Sequence, residues 1–345
     1  MKSKLLITLF LQLAMFELNK SSITNAKFIT EELGISDVTR GLLIVLTATM
    51  VIMGFIGNLT VLISSLKYKA IELDKIDLIF LENIAAADFI LTLFGFVPMF
   101  TTLCGNTWIL GNFLCRVNAF VINIPAYSEI LLIMFTSCYR MWRISCPLSV
   151  PMRSKTIKIL VSVIWVVSVS VEFVPALIPE ETVAYYEPLY LQCRHSARPI
   201  YNAGILTLIL APLVVIVIAN VVIFIMLRKS DTILTKNGLK GTNSCHKAAV
   251  TILSICAIFI ISYAPFILLF LYHLFRTPPN WLLTLCQYSI TLNVVMNPVI
   301  YTLTNKRFGK FVRRFVLKTG RRISENITHS HNSAVYGVNN VQVDR

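Results

Sequence analysis

The chain has 345 residues, of which 56% are hydrophobic and only 14% charged, and its formal net charge is +14. Soluble domains average about half apolar and about a quarter charged residues, so a water-soluble globule is excluded and a bilayer is the natural solvent. The positive excess does not point to nucleic acid, because the basic residues fall in the gaps between apolar runs and form no patch interleaved with aromatics. The eight cysteines show no C-x-x-C or similar ligand spacing, which argues against zinc.

In chain order, the first residues carry two lysines and an apolar stretch of about a dozen, too short to cross a bilayer. Two readings stand for it: a cleaved signal peptide, or an ordinary apolar N-terminus. Asn19-Lys20-Ser21 is a glycosylation sequon, usable if this end lies outside. Seven apolar spans follow, at Gly41 to Leu66, Ile76 to Leu103, Cys115 to Trp142, Thr156 to Ile178, Tyr201 to Leu227, Lys247 to Phe275 and Trp281 to Thr304. The expected fold is an all-α membrane protein, a seven-transmembrane helix bundle with an amphipathic eighth helix. Its expected divisions are 1–40 outside, 41–304 the bundle, 305–318 the membrane-surface helix and 319–345 a disordered tail. Prolines 98, 125, 175, 212, 265 and 298 interrupt the spans, and in membranes such kinks are tolerated and act as hinges.

The third span organises the rest. It runs from Cys115 to Arg140 and Arg143, and 25 helical steps span roughly 37 Å, enough to cross the hydrocarbon core with tilt. Glu129 lies between those ends, where an ionisable group is costly and usually functional. The gaps after the first, third and fifth spans hold three, five and five Lys or Arg, and the tail nine, so 22 of the 31 lie on one side. The positive-inside rule makes that side cytoplasmic, with the N-terminus of this multi-pass protein outside. Cys115 then faces the oxidising exterior, and Cys193 in the second outer loop is its expected disulfide partner. After the seventh span, Phe308, Phe311, Val312 and Phe315 form one stripe with basic residues opposite, the pattern of a helix lying on anionic lipid. The tail serines and threonines are either phosphorylated or unmodified.

These segments carry a recurrent set of residues: Gly57-Asn58 in the first span, Leu81 to Asp88 in the second, and Trp108-Ile109-Leu110-Gly111 before Cys115. Trp165, Pro212, Phe259 with Pro265, and Asn297-Pro298-Val299-Ile300-Tyr301 followed by Phe308 complete it. Taken together and in order, one per span, they resemble the rhodopsin-like G-protein-coupled receptors from about Gly54 to Phe315. The resemblance implies a receptor, not an enzyme. An extracellular ligand would bind between the outer halves of the helices, and an inner cleft would open for a heterotrimeric G protein, with arrestin and receptor kinases as further partners. A ligand that prefers the open form shifts the population of a two-state bundle. The coupling and activation positions are Tyr139, Arg140, Met141, Asn220, Phe259, Tyr263, Pro265, Asn297, Pro298 and Tyr301.

Departures from the family pattern sharpen this. Tyr139-Arg140-Met141 lacks the acid that normally precedes the arginine, so Arg140 is expected to lose a charge-assisted restraint worth about 1.5 to 3 kcal/mol, raising ligand-independent activity. Tyr263 replaces the usual tryptophan and Asn220 the usual tyrosine; a receptor that binds ligand without efficient coupling is the alternative these changes suggest. Asp88, Glu129, Asn293 and Asn297 match the family's internal sodium site, with Glu129 where a serine is usual. Two adjacent carboxylates in low dielectric share a proton or hold a cation. The pocket positions are Ile122, Asn123, Glu172, His195, Phe266, Phe270, His273, Gln287 and Thr291. Ile122 stands where amine receptors have an acid, and Thr291 where opsins have the retinal lysine, which disfavours both ligands. A mixed-charge, aromatic rim suits a peptide, with a small organic or lipid ligand as the alternative.

Overall fold

The computed structural model describes residues 29–67, 75–146, 152–173, 184–195, 199–236, 244–273, 279–304 and the single residues 309, 310 and 313. Among them the elements in chain order are α1 (Ile29–Leu33), α2 (Asp37–Lys67), α3 (Lys75–Leu91), a π-helical turn (Thr92–Phe96), α4 (Val97–Gly105), α5 (Gly111–Val121), α6 (Asn123–Ser145) and α7 (Ser154–Phe173). There follow β1 (Ala184–Glu187), a 3₁₀ turn (Pro188–Tyr190), β2 (Gln192–His195), α8 (Pro199–Lys236), α9 (Ser244–His273) and α10 (Asn280–Thr304). Six helical stretches are long and apolar enough to cross a membrane, the second being α3 to α4 and the third α5 to α6. The sixth crossing in chain order is the apolar run Leu253–Leu269 inside α9. The expected seven-helix bundle is therefore observed. Residues 174–183, with Pro175, lie outside the described residues, as do Asn19, the tail beyond 313 and most of the expected surface helix. Gly309, Lys310 and Arg313 of that helix are described, and all three are helical.

The prolines act where the sequence places them, by two different routes. In the second span the π-helical turn Thr92–Phe96 precedes α4, whose first turn holds Pro98, so the missing N–H falls where a new helical register begins. In the third span the helix breaks at Ile122, and Pro125 sits in the first turn of α6, where its lost donor is not needed. Pro212, Pro265 and Pro298 instead lie inside α8, α9 and α10.

Small residues allow the first span to come close to its neighbours. A Cβ on Gly54 would lie 2.6 Å from the Thr92 hydroxyl, and one on Gly57 would lie 2.8 Å from the Pro298 ring. Van der Waals packing of this kind is what holds helices together in lipid. The largest buried cluster lies between the second to sixth spans and includes Phe80, Ile130, Ile133, Ile216 and Phe259.

At the Cys115 end, β1 and β2 pair antiparallel, with Tyr186 opposite Cys193. Cys193 is disulfide-bonded to Cys115, as expected, with Cα atoms 5.3 Å apart. Asn118 supports this crosslink: its Oδ1 accepts the Cys193 backbone N–H at 3.0 Å, and its Nδ2 donates to the Phe94 carbonyl in the π-helical turn. The short helix α1 docks on the same end. Ile29 is fully buried beside Met99, Leu103, Leu191 and Tyr288, and its N–H donates to the Asn106 carbonyl at 3.0 Å. Asn106 closes α4 at φ 55° and exchanges two side-chain hydrogen bonds with Thr30. Replacing Asn118 with Ala strands a buried backbone donor and a buried acceptor, so the thermal midpoint of the detergent-solubilised protein is expected to fall by the equivalent of about 1 to 3 kcal/mol. An unchanged melting curve would mean the hairpin is held by the disulfide alone.

Candidate functional site

Three polar groupings lie along the axis of the third span. At its centre, Asp88, Glu129, Asn293 and Asn297 are all buried. Asn293 Nδ2 donates to Glu129 Oε1 at 2.5 Å, while Asn297 Nδ2 donates both to Asp88 Oδ2 at 2.8 Å and to Glu129 Oε1 at 3.3 Å. All four predicted residues are thus brought together, from the second, third and seventh spans. Asp88 Oδ1, Asn293 Oδ1 and Asn297 Oδ1 are buried with no hydrogen-bond partner. Buried oxygens of this kind are costly, and two carboxyl groups plus amide oxygens form the all-oxygen donor set that a hard cation prefers. The residues present therefore fit a sodium ion, and equally a shared proton.

At the Cys115 end, Asn123 Nδ2 donates to Glu172 Oε1 at 2.9 Å, and His195 Nδ1 lies 3.3 Å from the same carboxylate oxygen. Glu172 is fully buried. His195 Nδ1 is also 3.3 Å from the Ala119 carbonyl, so both contacts place the ring proton on Nδ1. The imidazole stacks on Phe120, 5.2 Å between ring centres, and Phe120 stacks in turn on Phe173. Burial pushes His195 below its ordinary value, the Ala119 carbonyl pulls the other way, and Arg194 adds to the lowering. Burial, with the Glu187 carboxylate adding to it, pushes the Tyr186 hydroxyl far above its usual range. Ile122 and Gln287 are half-buried here, and Thr291 is buried with its hydroxyl on the Gln287 carbonyl at 2.8 Å. Among the described residues no hydrogen bond joins Gln287 or Thr291 to the Glu172 group. Phe266 packs against the main core instead. The side chains of Phe270 and His273 lie outside the described residues.

At the opposite end, Arg140 forms an ion pair with Asp77, and each side chain is only 7% exposed. Asp77 belongs to the first turn of α3, where the helix N-terminus already favours a carboxylate. The expectation that Arg140 stands without a carboxylate restraint is therefore corrected: the acid is supplied across the bundle, from the second span. Tyr139 packs beside Trp142, with Met141 half-buried after it. Asn220 donates to Ser137 Oγ at 3.2 Å, and Ser137 pairs with the Cys256 thiol at 3.2 Å, tying together the third, fifth and sixth spans. Phe259 and Tyr263 stack with centres 4.4 Å apart. Tyr301 is buried with Val61, Leu81 and Ile255.

Sequence reasoning missed Asp77 and Asn118. An acid at the basic end of an apolar span was the available signal for Asp77, since an ionisable group there needs a partner. Nothing local in the sequence marked Asn118.

The family described as "7 transmembrane receptor (rhodopsin family)" matches residues 57–301. Among curated proteins, the C-C chemokine receptor type 3 of Cavia porcellus is 25% identical, covering 83% of this chain and 81% of that protein. The melatonin receptor type 1A of Mus musculus is 23% identical, covering 77% and 78% respectively. Among solved structures, squid rhodopsin superposes with a TM-score of 0.68 at 19% identity, covering 83% of this chain and 87% of that one. A family match across most of the chain, a bundle of the rhodopsin architecture and the motif residues in their places establish that this chain belongs to the rhodopsin family of seven-transmembrane receptors.

Proposed function

We propose that the chain is a G-protein-coupled receptor of the plasma membrane, with its N-terminus outside, that transmits an extracellular peptide signal to a heterotrimeric G protein. The observation that carries this reading is the third span itself. It holds a disulfide-anchored hairpin at one end and Arg140 at the other, with a buried carboxyl group between. The bias of Lys and Arg toward the Arg140 end supports placing that end in the cytoplasm. Arrestin and receptor kinases would act on the same face.

Relatives named for chemokines and for melatonin both match the chain, so the ligand class rests on the site. Glu172, held by Asn123 and His195 beneath the hairpin, is a buried carboxylate on which a cationic peptide group can replace the imidazole. The mixed-charge rim above it favours a peptide over a lipid. The central group supports a second element of the reading: Asp88 and Glu129, with the two asparagines, hold a sodium ion or a shared proton that biases the bundle between its states.

Receptor in nanodiscs with purified G proteins is expected to accelerate GTPγS uptake when cationic peptides are added. Arg140→Ala is expected to reduce that acceleration at least about tenfold, the loss of a charge-assisted contact. Acceleration by no peptide, together with peptide-dependent arrestin recruitment, would favour a receptor that binds without coupling. Glu172→Gln is expected to raise the half-maximal peptide concentration about tenfold or more through the lost ion pair, with the maximal response retained. Glu129→Ser is expected to flatten the dependence of the dose curve on sodium and on pH. Parent-like sodium and pH responses in that variant would remove the central site from the account.

A further inference from the structure

The residues on either side of Arg140 are Tyr139 and Met141, so neither sequence neighbour supplies an acid. The guanidinium is nevertheless buried, and a buried charge persists only with a counter-charge in reach. Asp77 supplies it from another helix. We propose that Asp77 is a positioning residue that holds Arg140 in the resting bundle, an interhelical substitute for the acid missing at Tyr139.

The surroundings make this pair a restraint and not a passing contact. The second span is fixed against its neighbours above Asp77: Trp165 Nε1 donates to Asn83 Oδ1 at 3.1 Å, and Ile76, Phe80 and Ile84 pack in the same cluster as Ile130, Ile133 and Tyr139. Asp77 therefore cannot follow Arg140 if the arginine turns toward a partner. One turn toward the membrane centre, the links from Ser137 to Asn220 and Cys256 join the third span to the fifth and sixth, the contacts that must yield if those helices separate. Arg140 is thus held by a charge on a fixed helix, while the links at Ser137 one turn away are neutral hydrogen bonds. Breaking the ion pair alone removes the charged part of the restraint and leaves the packing in place.

Asp77→Asn keeps the shape and removes the charge. Two readouts test it. The first is the distance between spin labels at Lys155→Cys and Lys247→Cys, in a background whose other non-disulfide cysteines are serine; it needs no G protein. The second is ligand-free GTPγS uptake per surface receptor, which rests on the function proposed above. Asp77→Asn is expected to broaden the distance distribution toward longer values and to raise basal uptake about three- to tenfold, the scale of one charge-assisted contact. Adding Tyr139→Asp to Asp77→Asn is expected to restore both parent values, because an acid then returns beside Arg140 from its own helix. A merely structural role for Asp77 predicts no such rescue. Should Asp77→Asn fail to reach the surface, Asp77→Ser carries the distance readout in its place, with the same lengthening expected. Parent-like distances in Asp77→Asn and Asp77→Ser, or no return toward parent values on adding Tyr139→Asp, would overturn the proposal. Longer distances in Asp77→Asn with no uptake in any variant would support the restraint and refute G-protein coupling.

Discussion

One amide nitrogen joins three helices at the centre of this protein. Asn297 Nδ2 donates to Asp88 and to Glu129 at once, so the second, third and seventh spans meet through side chains buried away from the protein surface. In hydrocarbon, apolar surfaces gain nothing by leaving lipid for each other, so association rests on close packing and on polar contacts of this kind. The bundle accordingly has its bulky side chains between the second and sixth spans and its polar seam toward the seventh. Gly57 completes the seam's outer wall, because only a hydrogen at that position leaves room for the ring of Pro298 one residue after the bridging asparagine.

The two ends of the third span apply the same rule with different chemistry. Glu172 is buried, and its Oε1 accepts from the Asn123 amide and lies 3.3 Å from the His195 ring nitrogen. Arg140 is buried against a carboxylate. A carboxylate solvated by neutral donors can exchange one of them for a cation at modest cost, whereas a guanidinium paired with a carboxylate leaves an unpaired acid behind when it departs. On the function proposed above, the Cys115 end receives a cationic group, while the ion pair at the Arg140 end resists release.

Much of this was written in the sequence, and the part that was not has a physical reason. The seven spans, the disulfide and the four residues of the central seam were legible because each follows from span length, from sidedness, or from resemblance to motifs fixed one per helix. Asn118 and Asp77 were not. Both act across helices through side-chain contacts, and neither span pattern nor neighbouring residues encode which helix a polar group will face. The missing acid at Tyr139 was visible as a gap, yet the residue filling it lies 62 positions earlier in the chain, a distance at which only folding decides contact.

The π-helical turn between α3 and α4 also sets how the second span can vary. Its extra residue offsets everything beyond Phe96 by about 100° around the helix axis, since each residue of an α-helix turns by that angle. Met99 and Leu103 face Ile29 of α1 only because of that offset. Loss of one residue from Thr92–Phe96 would leave the span nearly as long and just as oily, while swinging its outer third a quarter-turn away from the docked N-terminal helix.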